Sequence, residues 1–137
     1  MLTQMDTKME FDSRAENINL VEKLVDDIRE QFPLSEDLYG NMLVAVTEAV
    51  NNAIIHGNKA NPDKKVKVDC SYKDDRIVFI IKDQGEGFNY YLLPDPTAPE
   101  NIENPNGRGI FLMKHLADQL IFSDYGRTVE LGFKLSA

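Results

Sequence analysis

The chain has 137 residues, enough for one compact domain with its own core, and its 42% hydrophobic and 28% charged content excludes fibrous, collagenous and largely disordered classes. With 15 Lys and Arg against 23 Asp and Glu the net charge is -8, which argues against a nucleic-acid or anionic-membrane binder working by bulk charge, so any anionic ligand must be held by local devices. The lone Cys70 cannot form an internal disulfide, Met1 to Glu10 has no apolar leader core, and the longest apolar run, Ile77 to Ile81, is far short of the ~18 residues that span a bilayer, which together predict a soluble cytoplasmic protein.

Ser13 with Glu16 three residues later has the form of a capping box, and Ile18, Val21, Leu24, Val25 and Ile28 then recur at helical spacing, predicting a first amphipathic helix that ends near Gln31. Ser35 followed by Glu36 and Asp37 predicts the N-cap of a second helix, whose apolar face runs from Leu38 through Met42, Ala45, Val46 and Ala49 to Ala53. Gly57, Asn58 and Pro62 supply its stop. From Lys65 the period becomes two, with Val66, Val68, Cys70 and Tyr72 on one face, a half-buried strand that turns at Lys73 to Asp75. Ile77 to Ile81 is apolar on both faces and ends at Asp83, which reads as a central strand. Residues 84–106 hold four of the six prolines and show no period, a connection longer than the ~12–15 residues usual for a loop and suited to a lid, with Phe88, Tyr90, Tyr91, Leu92 and Leu93 read as its packing. Gly107 to Gln119 predicts a third helix with Ile110, Met113 and Ala117 inward. Leu120 to Phe122, the Asp124-Tyr125-Gly126 turn and the alternation Val129, Leu131, Phe133, Leu135 predict a closing hairpin. No repeat or linker interrupts the chain, so residues 1–137 are read as a single two-layer α/β sandwich.

Three groups of polar residues exceed what a plain sandwich needs. Glu48 and Asn52, four residues apart, point within roughly 40° of each other beside the apolar stripe of the second helix. The pair could hold a hard cation through oxygen while Glu48 serves as a base; the plainer alternative is a solvated i,i+4 pair. Asp83-Gln84-Gly85-Glu86-Gly87 presents a carboxylate at a strand end beside glycines that admit a ligand, suited to reading an exocyclic amino group, although Asp-x-Gly-x-Gly also occurs in ordinary turns. Gly107-Arg108-Gly109 opens the third helix, whose free amides favour a phosphate with Arg108 as a forked donor, or it is simply a loop end. The standard phosphate-loop and dinucleotide glycine patterns are absent, and His56 and His115 lack the partners a zinc site needs.

In this order, Glu48-Ala49-Val50-Asn51-Asn52-Ala53-Ile54-Ile55-His56-Gly57-Asn58, then Asp83 to Phe88, then Gly107-Arg108-Gly109-Ile110, the chain resembles the N, G1 and G2 boxes of the histidine-kinase-like (GHKL) ATPases. The short form and the Glu-x-x-x-Asn-Ala-Ile-Ile-His-Gly stretch are most similar to the anti-sigma-factor serine/threonine kinases of bacterial partner-switching systems. The resemblance implies an α+β Bergerat fold: a two-layer sandwich with a mixed sheet and left-handed crossover, three main helices, an ATP lid over 84–106 and a short segment over 1–10 before it. It implies ATP and Mg²⁺ as cofactors, with Asn52 as Mg²⁺ ligand, Asp83 accepting the adenine amino group, Gly85 and Gly87 under the base, and Gly107, Arg108 and Gly109 at the phosphates. Thr128 is implied as a polar contact near adenine and Glu48 as the general base toward a serine hydroxyl. Where the family often carries a lid arginine, two residues before the first glycine of the last box, this chain has Pro105, and Arg108 is the residue implied to stabilise phosphate instead. The implied partners are an anti-sigma-factor antagonist and a sigma factor, with a second copy in a homodimer. The alternatives are a nucleotide-gated binding switch without phosphoryl transfer and a small ATP hydrolase. A detached histidine-kinase catalytic domain is disfavoured, since nothing resembles a dimerisation helix with a phospho-acceptor histidine.

Overall fold

Period-two alternation in the sequence becomes a five-stranded sheet. The computed structural model describes residues 6–87 and 105–135, and of residues 105–108 the backbone alone. The strands β1 (Asp6–Asp12), β2 (Lys65–Lys73), β3 (Arg76–Lys82), β4 (Gln119–Ser123) and β5 (Thr128–Lys134) lie in the order β1-β2-β3-β5-β4. Every neighbouring pair is antiparallel, which corrects the mixed sheet implied by the resemblance. β2 with β3 and β4 with β5 are hairpins, whose short turns permit no other pairing. Asp74 and Asp75, both left-handed at φ 53° and 64°, form the two-residue turn between β2 and β3, and aspartate is among the few side chains that tolerate that region.

β3 is the central strand, yet its two apolar faces fare differently. Ile77, Phe79 and Ile81 are buried against the helices, while Val78 and Ile80 are only partly buried on the open face. β1 was not anticipated. Thr7, Met9 and Phe11 do alternate with the exposed Asp6, Lys8 and Glu10, but as an edge strand it needs one partner and only Phe11 is buried, so the alternation is short and weakly apolar. Cys70 of β2 is fully buried, and burial pushes its thiol up to about 12, which keeps it protonated and unreactive.

Helices α1 (Ile18–Gln31), α2 (Glu36–Asn52) and α3 (Pro105–Leu116) form the second layer. α2 lies between α1 and α3 and rests on β3 and β5. Its Met42, Ala45, Val46, Ala49 and Val50 are buried, as the spacing requires. The Ser35 hydroxyl caps α2 by accepting the Leu38 N–H at 3.0 Å, with Glu36 and Asp37 in the first turn as the macrodipole favours. The capping box expected at Ser13 does not form. Ser13 instead donates to the Lys64 carbonyl at 2.7 Å, and α1 is entered through a 3₁₀ turn, Ala15–Asn17, with Asn17 donating to the Asp12 backbone at 2.8 Å. α3 begins at Pro105, two residues ahead of the expected start, because proline's fixed φ suits a first helical position and its missing N–H has no partner there to lose. It stops at Leu116, since Gln119 already belongs to β4. Among the described residues no helix is long and apolar enough to cross a membrane.

One buried polar residue links the layers. The Asn58 side chain donates to the Ser13 hydroxyl at 2.8 Å and to the Lys65 carbonyl at 3.0 Å, and accepts the Gln84 N–H at 2.7 Å. It thereby joins the end of α2 to the entry of α1, the start of β2 and the exit of β3. Replacing it with alanine removes three hydrogen bonds, one buried and two partly buried, and empties a buried position, so Asn58→Ala is expected to lower unfolding stability by about 2–4 kcal/mol in urea denaturation, whereas the exposed Asn61→Ala changes it little.

Candidate functional site

The last turns of α2 carry Glu48 and Asn52, and beyond Asn52 the helix widens into a π turn, Ala53–Gly57. The Asn58 N–H closes on the Ala53 carbonyl at 2.8 Å and the Ala60 N–H on that of Ile54 at 2.7 Å, an arrangement that often marks a functional helix end. The wider turn brings Gly57 over the residues that follow β3. A Cβ on Gly57 would lie 2.5 Å from Cγ of Asp83, and one on Gly85 would overlap the Gly57 carbonyl oxygen. Glycine at both positions is therefore what lets the two segments meet backbone to backbone. Gly87 is left-handed at φ 82°, and a Cβ there would press on the Tyr125 carbonyl. From the other side α3 closes in: a Cβ on Gly109 would sit 3.1 Å from Oε2 of Glu48 and 3.2 Å from Nδ2 of Asn52.

Between these contacts lies a cleft with an apolar floor of Ala53, Ile81, Ile110, Met113 and Val129, flanked by Asn52, Asp83 and Arg127. Burial raises the Asp83 carboxyl above its ordinary 3.8, a shift reduced by the Gly85 N–H, which donates to Oδ1 at 2.8 Å, and by the charge of Arg127. The Asp83 N–H in turn donates to the Arg127 carbonyl at 2.9 Å. Such a surface suits a flat heteroaromatic ring with an amino group at its carboxylate end. The carboxamide of Asn52 and the first turn of α3 suit an anion with its metal at the other end.

The structure thus brings together Glu48, Asn52, Asp83, Gly85, Gly87 and Gly109, with Gly107 in the first turn of α3. It does not bring Thr128 to the cleft: that residue starts β5 opposite Lys82, and its neighbours Arg127 and Val129 line the cavity instead. The Arg108 side chain lies outside the described residues, as do residues 88–104 of the expected lid with Phe88, Tyr90, Tyr91, Leu92 and Leu93. His56 and His115 are both exposed, and His115 stacks on Phe111 at 4.3 Å. Among the described residues no three His, Cys, Asp or Glu side chains gather as a metal site. A Mg²⁺ ion here would be held by the Asn52 oxygen together with ligand phosphates and water, as that ion prefers. Two residues of the site escaped the sequence reading. Asn58 reads as a helix stop and as the end of the Glu48 to Asn58 stretch, with no role of its own, and Arg127, an arginine between a turn and a strand, carries no spacing signal at all.

Residues 11–133 match the family model described as a histidine kinase-like ATPase domain. The chain is 30% identical over 137 aligned positions to a serine-protein kinase RsbW of Staphylococcus epidermidis, covering 94% of this chain and 86% of that protein. Against the serine-protein kinase RsbW of Bacillus licheniformis it is 28% identical, covering 90% and 82%, and against that of Oceanobacillus iheyensis 25%, covering 87% and 80%.

Two expectations follow from the geometry. Because folding raises the Asp83 carboxyl, the native state holds its proton to higher pH than the unfolded chain, and this group's contribution to stability falls as pH rises above 3.8. Asp83→Asn should therefore be more stable than the wild type in urea at pH 7, with the gain shrinking on acidification toward pH 4. Gly85→Ala, driven into the Gly57 backbone, should cost about 1–3 kcal/mol or more, while Gly40→Ala in α2, with nothing within 4 Å of the added carbon, should stabilise by about 0.5–1 kcal/mol in the same assay.

Proposed function

The chain belongs to the histidine kinase-like ATPase family, and on that premise we propose that it is an ATP-dependent serine/threonine protein kinase of the anti-sigma-factor type. In this reading it works in the cytoplasm as a homodimer, sequesters a sigma factor and phosphorylates an anti-sigma-factor antagonist. The observation that carries the proposal is the seating of Gly109 against both Glu48 and Asn52, which puts a carboxylate and a carboxamide oxygen at the N-terminal turns of α3. A solvated i,i+4 pair would have no reason to be packed under a helix start. The apolar floor fits adenine, Asp83 fits its amino group, and the glycines at 57 and 85 let the end of α2 meet the Asp83 segment where any side chain would clash.

When bound, Mg²⁺–ATP supplies the transferable phosphoryl group and the charge neutralisation that its release requires. The residues of the chain do the rest. Asn52 would offer its oxygen to the metal. The free amides at the start of α3, that of Gly107 included, would face the phosphates, with Gly109 one turn on closing against Asn52 and Arg108 as the neighbouring cation. Glu48 orients the serine hydroxyl of the protein substrate and takes its proton. Pro105 starts α3 where the family often has an arginine before the last box, so this chain's phosphate stabilisation falls to Arg108 and the helix amides.

The test is transfer from γ-labelled ATP with Mg²⁺ to the antagonist. Glu48→Gln should cut labelling by about 10²–10⁴-fold while ATP affinity stays within a few-fold of wild type. Undiminished labelling would overturn the base assignment. No labelling by the wild type, combined with ATP-dependent partner affinity, would favour a nucleotide-gated switch, and phosphate release without any partner would favour a hydrolase.

A further inference from the structure

Arg127 occupies the joint between the β4–β5 turn and the segment after β3, and it grips that segment at three successive points. Its carbonyl accepts the Asp83 N–H at 2.9 Å, its Nε donates to the Gly85 carbonyl at 2.9 Å, and one terminal nitrogen donates to the Glu86 carbonyl at 3.2 Å. Backbone and guanidinium of one residue thus bracket Asp83 and the loop that carries it. The guanidinium is suited to this because it is a flat, rigid fork that presents several N–H groups in one plane, which lysine cannot do.

The arginine is itself held from behind. Asp124, Tyr125 and Gly126 are three consecutive left-handed residues at φ 50°, 55° and 81°, two of them not glycine, an arrangement that persists only where the surroundings over-determine it. The Arg127 N–H closes this turn on the Asp124 carbonyl at 3.0 Å. The Tyr125 carbonyl abuts Gly87, so the strained turn and the glycine loop are in direct contact. The ion pair with Asp124 explains little of this: it is long at 3.4 Å and the Asp124 side chain is 61% exposed, the regime in which surface pairs contribute almost nothing. The shorter bonds of the guanidinium, at 2.9 and 3.2 Å, go to the loop.

We propose that Arg127 is a positioning residue for the nucleobase end of the cleft, holding the Asp83 carboxylate and the Gly85 to Gly87 loop in place before any ligand binds. The proposal rests on the nucleotide reading above for the identity of the ligand, but not for the positioning itself. The charged groups around Asp83 are Arg127 and Asp124 from the β4–β5 turn and Lys64 ahead of β2.

The test uses the full-length chain with Arg127→Gln and Arg127→Lys. Calorimetric titration with Mg²⁺–ATP and with Mg²⁺–ADP should show both nucleotides weakened by the same factor of about ten in Arg127→Gln, because the two share the base end. Arg127→Lys should remain weakened, since it restores the charge without the fork. A carbon-detected NMR titration of the Asp83 carboxyl without nucleotide supplies the second readout: its midpoint should move in Arg127→Lys as well as rise in Arg127→Gln, since lysine keeps the charge that lowers this carboxyl and loses only the fork. Unchanged affinity for both nucleotides, or a loss for ATP far larger than for ADP, would overturn the proposal, the latter by making Arg127 a phosphate ligand. If the wild type binds neither nucleotide yet the Asp83 midpoint still moves in Arg127→Lys, the nucleotide reading fails and the positioning role stands. A midpoint unmoved in Arg127→Lys sinks the positioning role whatever the nucleotides do.

Discussion

The cleft exists because backbone meets backbone at Gly57 and Gly85. With only hydrogens between them, the π turn that ends α2 and the loop that leaves β3 approach closely enough for the Asp83 carboxylate to rest on the Gly57 Cα. A side chain at either position would part the helix layer from the sheet at the place where both contribute to the cavity. Asn58, next in the chain, makes the contact durable by satisfying groups on the entry to α1, on β2 and on the residue after Asp83 with one carboxamide. Because that carboxamide is fully buried, its bonds are hard to exchange for water, and a partly satisfied version would be worse than an apolar one.

This arrangement also resolves a conflict set by composition. A protein of net charge -8 repels a polyanion at long range, so recognition has to be short-ranged. The cleft presents two carboxylates, and their positions explain why neither spoils the site. Asp83 stands at one end, where an amino group can use it. Glu48 stands beside Asn52 under the first turns of α3, where a metal ion and helix amides would balance it. Arg127 is the cation that lines the cleft among its described residues, and its hydrogen bonds are spent on loop carbonyls.

Much of this was legible in the residues. The α2 stripe, the Ser35 cap, the β2 alternation and the Asp83 strand end were readable because each depends on local spacing or local capping, which sequence records directly. What failed was non-local. Ser13 looks like an N-cap, but its hydroxyl is claimed by Lys64 and Asn58 across the molecule, at separations of 51 and 45 residues. β1 is an edge strand whose alternation of Thr7, Met9 and Phe11 with charged residues holds only two large apolar side chains, so its pairing with β2 had to identify it. Ile77 to Ile81 reads as a central strand and is one, although helices cover only the Ile77, Phe79 and Ile81 face. Glu48 and Asn52 could be paired from helical geometry alone, but their relation to Gly109, some sixty residues on, came only from the family resemblance. Arg127 had no signal because its partners are backbone carbonyls, which any sequence supplies.

The energetic costs of the site gather at one end. Asp83 is a carboxylate held in a setting that disfavours its charge, and beside it Asp124 and Tyr125 occupy a backbone region that L-residues avoid. Both costs are met by near neighbours: the Gly85 amide and the Arg127 charge for the first, and the closure of Arg127 on Asp124 for the second. At the opposite end the groups sit on regular helix, where Asn52 and the first turn of α3 keep ordinary geometry. In the proposed reading this division has a use, because the end that would read the base is set in advance and little ordering would be left to be done when a ligand arrives. The end that would meet the phosphates relies instead on a helix terminus, whose unpaired amides any helix start supplies. Discrimination and catalysis would then fall to different parts of one cleft, and the carboxylate whose burial costs stability would be the one that makes the cleft selective.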